Sequence, residues 1–167
     1  MSKQILIVGV NSFLSNAIHQ LHLNDEVDGV YYTKANPSFR MNYLIDSLDE
    51  IQTVYDVVYI VSALISNDLE RLDNLLQLNV KDINRIKDKF SSSRIIFCSS
   101  VSVFDAIKEG NINDDTIPAT ETIYGLSKLM GEQIIRQHKN YGIIRISSMY
   151  GLGMKSSTFL PKIVQHA

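Results

Sequence analysis

The chain has 167 residues, 45% of them hydrophobic and 20% charged, with a formal net charge of −2. That balance fits a globular domain with its own core. No basic excess marks a nucleic-acid footprint, and the longest apolar run, residues 54–65, is too short and too interrupted by polar residues to span a bilayer.

The N-terminus, Met1-Ser2-Lys3-Gln4, leads straight into an apolar run without a signal peptide's basic lead or cleavage site, so the expected location is the cytoplasm. Residues 5–8, Ile-Leu-Ile-Val, have the uniform apolarity of a strand buried on both faces. Gly9 ends the strand. Residues 10–18 read as a turn into a helix, with Asn11, Ser12 or Ser15 as its cap. A second strand is expected over 27–32, after the turn-forming Asn24-Asp25-Glu26. Pro37 marks a loop, 38–43 is expected to be a short third strand, and 47–55 to be helical. Residues 56–61 form a fourth strand. Residues 69–90 carry leucine and isoleucine at helical spacing and predict one long helix. Residues 94–98 form a fifth strand, in which the lone Cys98 reads as a small core residue with no disulfide partner. A loop rich in Asn, Asp, Thr and Pro over 110–120 leaves Asp114 and Asp115 solvated. A helix then runs from Thr122 to about His138, and 141–146 is a sixth strand.

Alternating strands and helices, with strands apolar throughout, call for an α/β fold: a parallel sheet covered by helices on both faces. No repeat, low-complexity tract or linker divides the chain, so residues 1–167 are expected to form one domain. In such open sheets ligands bind at the carboxyl ends of the strands, near the point where strand order reverses.

Three stretches carry chemistry into that crevice. Tyr124 and Lys128 are four apart in the last helix and share a face. A phenol is a poor base near neutral pH, and an adjacent ammonium favours the phenolate, so the pair is a proton-transfer device. Ser99-Ser100-Val101-Ser102 follows the fifth strand, where a hydroxyl can orient a substrate for Tyr124; local turn bonding is the alternative. Gly9 lies between a strand and a helix, where backbone N–H groups and the helix dipole favour a phosphate. Ser12 and Ser15 stand at the later positions of that fingerprint, and a tight turn without a ligand is the alternative. The second strand ends Tyr31-Tyr32-Thr33-Lys34 without the carboxylate that would hold a ribose diol. Lys34 there is either a partner for a 2′-phosphate or a solvated surface lysine. Asn79, polar among leucines, either braces the loops after the fourth and fifth strands, binds water, or sits on an exposed helix face. His19, His22, His138 and His166 make no metal-ligand grouping, and no metal is expected.

The segments around Gly9, Leu78-Asn79-Val80, residues 97–104, Tyr124–Lys128 and residues 145–151 together resemble the extended short-chain dehydrogenase/reductase family, the NAD-dependent epimerases and dehydratases of nucleotide sugars. The resemblance implies a Rossmann-like, doubly wound three-layer fold. It makes Tyr124 the acid/base, has Lys128 lower its pKa and bond the nicotinamide ribose, and has Ser100 orient the substrate. The turn of Gly9, Ser12, Phe13 and Leu14 would hold the pyrophosphate, with Asn79 also on the cofactor side. NAD or NADP is implied, NAD being the commoner in the family, with a nucleotide sugar as substrate. Family members carry a C-terminal substrate lobe that the sequence to Ala167 does not contain, and a second copy is expected to cover the sheet edge. Serines in place of fingerprint glycines and the missing strand-two acid also fit a second reading, a non-catalytic dinucleotide-binding or assembly module.

Overall fold

A computed structural model of the chain describes residues 2–113 and 115–151. The elements on which the site depends are β1 (Gln4–Val8), α1 (Phe13–Leu21), β2 (Glu26–Tyr31), β3 (Asn42–Leu44), β4 (Val57–Ile60), α2 (Leu72–Leu76), α3 (Asp82–Lys89), β5 (Arg94–Ser100), α4 (Ile123–Ile135) and β6 (Tyr141–Ile146). The strands form one parallel sheet in the order β3-β2-β1-β4-β5-β6. The chain winds outward from β1 to β3, then crosses back to β4 on the other side of β1. The reversal therefore lies between β1 and β4, as a doubly wound Rossmann-like sheet requires.

The central strands are apolar throughout because both their faces are covered. Leu6, Val8, Val58, Ile60, Ile95 and Phe97 pack beneath Ile83, Ile86 and Ile135 of α3 and α4. Ile5, Ile7 and Cys98 face the other way, in the cluster that contains Ile18 of α1. Burying each such aliphatic side chain contributes about 1.5–3 kcal/mol, which is what commits this pattern to a sandwiched sheet.

Three expectations are corrected. The third strand is not 38–43 but Asn42–Leu44; Phe39 instead turns into the core at 4% exposure. The segment 47–55 is not a helix. A 3₁₀ turn over Ile45–Glu50 ends there, and the chain extends through the β-branched Thr53 and Val54 so that Ile51 and Tyr55 are both buried. The long helix over 69–90 is broken: a 3₁₀ turn at Leu69–Arg71, α2, a π turn at Gln77–Lys81, then α3. The π turn contains the buried Asn79. Asp114 and His166 lie outside the described residues, whereas Asp115 is exposed as expected.

Candidate active site

A cleft of about 690 Å³ opens at the carboxyl ends of the strands. Its walls come from the Gly9 turn, the end of β2, the segment after β4, the end of β5, and Tyr124 and Lys128 of α4. The reversal between β1 and β4 creates it, since the chain leaves those two strands in opposite directions.

Gly9 has φ +103°, and a Cβ there would lie 2.7 Å from the Ser62 backbone nitrogen. Conformation and space both require glycine. Its own N–H is bound to the Val30 carbonyl at 2.8 Å. Ser12 caps α1, its Oγ accepting the Ser15 N–H at 2.9 Å, while the buried Ser15 hydroxyl donates to the Ser12 carbonyl at 2.7 Å. The serines thus build the turn. The N–H groups of Phe13 and Leu14 begin α1 and make no hydrogen bond among the described residues, which leaves them open to an anion. Leu14 and Ser12 line the cleft; the Phe13 side chain does not, and only its backbone stands at the turn.

Asn79 is likewise absent from the cleft wall. Its Oδ1 accepts the Leu64 N–H at 2.8 Å, and its Nδ2 donates to the Leu64 carbonyl and the Ser127 Oγ, each at 2.9 Å. It braces the loop after β4 onto α4, so it shapes the cleft from behind. Lys34 contributes its carbonyl as an acceptor for the Asn11 side chain, and its amine is not part of the wall. Tyr31, Tyr32 and Thr33 form the wall at the end of β2.

The cleft does bring Ser100, Tyr124 and Lys128 together. Thr122 caps α4 through its Oγ on the Gly125 N–H at 3.1 Å, and Asp105 bonds the Thr122 hydroxyl and the Glu121 N–H. Those bonds fix the turn that carries Tyr124. Burial pushes the Tyr124 phenol above its usual pKa, and the neighbouring Ser100 hydroxyl pulls the other way. Lys128 is not among the groups acting on the phenol. Instead its Nζ lies 4.2 Å from the centre of the Phe97 ring.

Lys128 is 1% exposed and makes no hydrogen bond among the described residues. Burial lowers its pKa to about 8, against the opposing pull of Cys98 and Glu132. Cys98 also lines the cleft, its thiol pushed up to about 11 by burial.

Behind the pair lies a cluster that sequence reasoning missed. Glu132, fully buried, accepts the Ser99 hydroxyl at 2.6 Å and a two-pronged bond from Arg145 at 2.9 and 2.7 Å. Burial works against its charge, but Arg145 and Ser99 hold its pKa below the ordinary value. The available signal was spacing: Glu132 follows Lys128 by four residues, as Lys128 follows Tyr124. Among the histidines, His22 bonds Asp25 at 2.7 Å and Tyr59 at 3.1 Å, and His138 bonds the Ser93 carbonyl at 2.8 Å.

The sequence model of the RmlD substrate binding domain family matches residues 3–167. No curated protein matches. Among solved structures, UDP-glucuronic acid 4-epimerase from Bacillus cereus in complex with NAD is 21% identical, with TM-score 0.80, over 92% of this chain and 59% of that one. A hypothetical dTDP-4-dehydrorhamnose reductase from Sulfolobus tokodaii is 26% identical, with TM-score 0.74, over 88% of this chain and 56% of that one. The Bordetella bronchiseptica enzyme WbmH in complex with NAD+ is 16% identical, with TM-score 0.83, over 99% of this chain and 62% of that one. This chain thus spans between 56% and 62% of these structures' length. No helix among the described residues is long and apolar enough to cross a membrane.

Proposed function

The chain belongs to the RmlD substrate binding domain family, within the extended short-chain dehydrogenases/reductases, and from that premise we propose that residues 1–167 are the cofactor-holding domain of a nicotinamide-dependent enzyme that acts on a nucleotide sugar. The net reaction is that of a reductase, epimerase or dehydratase, and the cofactor is NAD or NADP. The related structures named above carry NAD or are named for nucleotide-sugar substrates.

One observation carries the reading. Lys128 places an ammonium in the wall of an open cleft, out of water and without a hydrogen-bond acceptor. Such a group is costly unless an acceptor arrives with a ligand. A ribose diol supplies two. The Gly9 turn fits the same ligand: it offers the open N–H groups of Phe13 and Leu14 at a helix N-terminus, in a turn whose glycine lets the chain pass against Ser62.

The bound dinucleotide would supply the hydride acceptor or donor. The protein's own part is proton handling and alignment. Lys128 would bond the ribose and so gain the acceptor that its ammonium lacks among the described residues. Ser100 holds the reacting hydroxyl or keto oxygen against the phenol. With its pKa raised, Tyr124 starts as a proton donor, which suits reduction of a keto sugar; in the reverse direction it takes the hydroxyl proton.

Titration with NADH and NADPH by fluorescence or calorimetry tests this. Binding of at least one is expected, and failure of both at millimolar concentration overturns the enzyme reading in favour of an assembly module. Tyr124→Phe is expected to keep cofactor affinity within about twofold and to slow hydride transfer by about 100-fold or more; an unchanged rate removes Tyr124 from the mechanism. A cytoplasmic location and pairing of two copies belong to the same proposal. Sedimentation across a concentration series tests the pairing.

A further inference from the structure

We infer that Asn67 is a substrate-orienting residue, whose carboxamide nitrogen donates to a sugar oxygen next to the carbon served by Tyr124. This rests on the function proposed above and extends it to a residue in the loop between β4 and α2.

Asn67 is exposed and lines the cleft. Its Oδ1 accepts the backbone N–H of Tyr124 at 3.0 Å. A backbone N–H only donates, so the carboxamide atom that meets it must be the oxygen, which fixes which way round the amide lies. The Nδ2 group stands on the other branch of the amide and makes no hydrogen bond among the described residues. Two donor hydrogens are thus available beside the proposed acid/base.

The arm that carries them is held. Asn79 bonds both the N–H and the carbonyl of Leu64, at 2.8 and 2.9 Å. On the far side, the Asp68 N–H donates to the Ser66 Oγ at 3.1 Å, and the Asp68 carboxylate caps Glu70 at 3.0 Å. Asn67 therefore sits between two fixed points and is tied to Tyr124 by a third. A donor held in register with a phenol can read the oxygen on one carbon while the phenol serves the next. Asp105 and Ser102 also line this cleft and offer acceptor oxygens, so a polyhydroxylated ring meets both kinds of partner. A site built to bond a hydroxyl discriminates strongly against an analogue that lacks it, because the protein group is left unpaired.

The test is an NMR titration of ¹⁵N-labelled chain, loaded with NADH, with UDP-glucose and with UDP alone. The Asn67 side-chain amide pair is assigned by its loss in Asn67→Asp. The pair is expected to shift saturably with UDP-glucose and to stay put with UDP. Asn67→Asp keeps an oxygen for the Tyr124 N–H, so the thermal midpoint and NADH affinity should hold while UDP-glucose affinity falls about tenfold or more. Asn67→Ala should show the same sugar loss together with a lowered midpoint, because the bond to Tyr124 is gone. An unmoved Asn67 pair, wild-type UDP-glucose affinity in Asn67→Asp, or no UDP-glucose binding at all overturns the inference. If NADH does not bind, the proposed function is what fails, and the UDP-glucose titration is read without cofactor by the same criteria.

Discussion

Lys128 and Glu132 stand one turn apart on α4, and neither is more than 1% exposed. Glu132 is surrounded by donors: the Ser99 hydroxyl and both prongs of Arg145, whose guanidinium also lies 4.7 Å from the centre of the Phe104 ring. Lys128 has an aromatic face and no hydrogen bond among the described residues. Both pKa values fall, yet equal burial has opposite consequences for the charge. The carboxylate keeps its charge more firmly than usual, whereas the amine's pKa drops to about 8. The difference separates a brace from a working group. Glu132 ties α4 to β5 and β6 and so holds the frame in which Tyr124 and Ser100 face each other; Lys128 is left wanting a partner on the side where a ligand enters.

The contrast breaks most visibly by unpairing the brace. Arg145→Leu leaves Glu132 buried with the Ser99 hydroxyl as its hydrogen-bond donor and the half-exposed Arg136, at 3.8 Å, as its remaining ion-pair partner. Removing the main partner of a buried charge costs up to about 3–5 kcal/mol. The urea midpoint should fall accordingly, or the chain should fail to fold. A loss under about 1 kcal/mol would mean that water or Arg136 takes over from Arg145, and the two turns would then differ little.

Lys128→Met acts in the opposite direction. Removing an ammonium that has no hydrogen bond should stabilise the cofactor-free protein by about 1–3 kcal/mol near pH 7. The pH dependence gives a sharper signature. The folded amine titrates at about 8 and the free one at 10.5, so between these values the unfolded chain holds a proton that the folded chain does not. Stability therefore rises with pH across that interval. The Cys98 thiol works against this from its ordinary 9.0 up to about 11, because there the unfolded chain loses a proton that the folded chain keeps. The net rise is confined to roughly pH 8–9 and amounts to about 1 kcal/mol. Denaturant titrations at pH 7.5, 8, 9 and 10 should show it in the wild type and not in Lys128→Met. Saturating NADH should flatten it as well, since an acceptor on the ammonium raises its pKa again.

How much of this was legible follows from distance along the chain. The apolar runs marked β1, β4 and β5 because strands in the middle of a covered sheet need nothing else; β6, at the sheet edge and only partly buried, was marked by its run of isoleucines. The Tyr124–Lys128 pair was visible because helical spacing is a local property. The third strand was misplaced because β3 is only three residues long and gets its register from β2. The π turn escaped because the helical period alone does not register one inserted residue. Asn79 was recognised as a polar group needing partners, but its bonds to Leu64 and to Ser127 of α4 reach partners 15 and 48 residues away. Arg145 reaches Glu132 only because β6 pairs with β5 in a register that sets Ser99 opposite Arg145. Asn67 meets Tyr124 across 57 residues, which no spacing rule anticipates.

Ser99→Ala is the mildest of these tests and isolates the brace without stranding it. The substitution removes one neutral donor at 2.6 Å and leaves the Arg145 pair intact. The expected cost is about 1 kcal/mol at neutral pH. Its acid behaviour is the more informative readout. Glu132 has a depressed folded pKa, so its contribution to stability is complete above the ordinary 4.5 and is lost as pH falls through the folded value. The Ser99 hydroxyl is one of the groups that lower that value, so the alanine variant should begin acid unfolding at a higher pH than the wild type. Lys128, one turn away, should keep its titration near 8, because its shift comes first from burial. If Lys128 moved together with Glu132, the two turns would be one coupled charge system, and the separation of brace from working group would no longer hold.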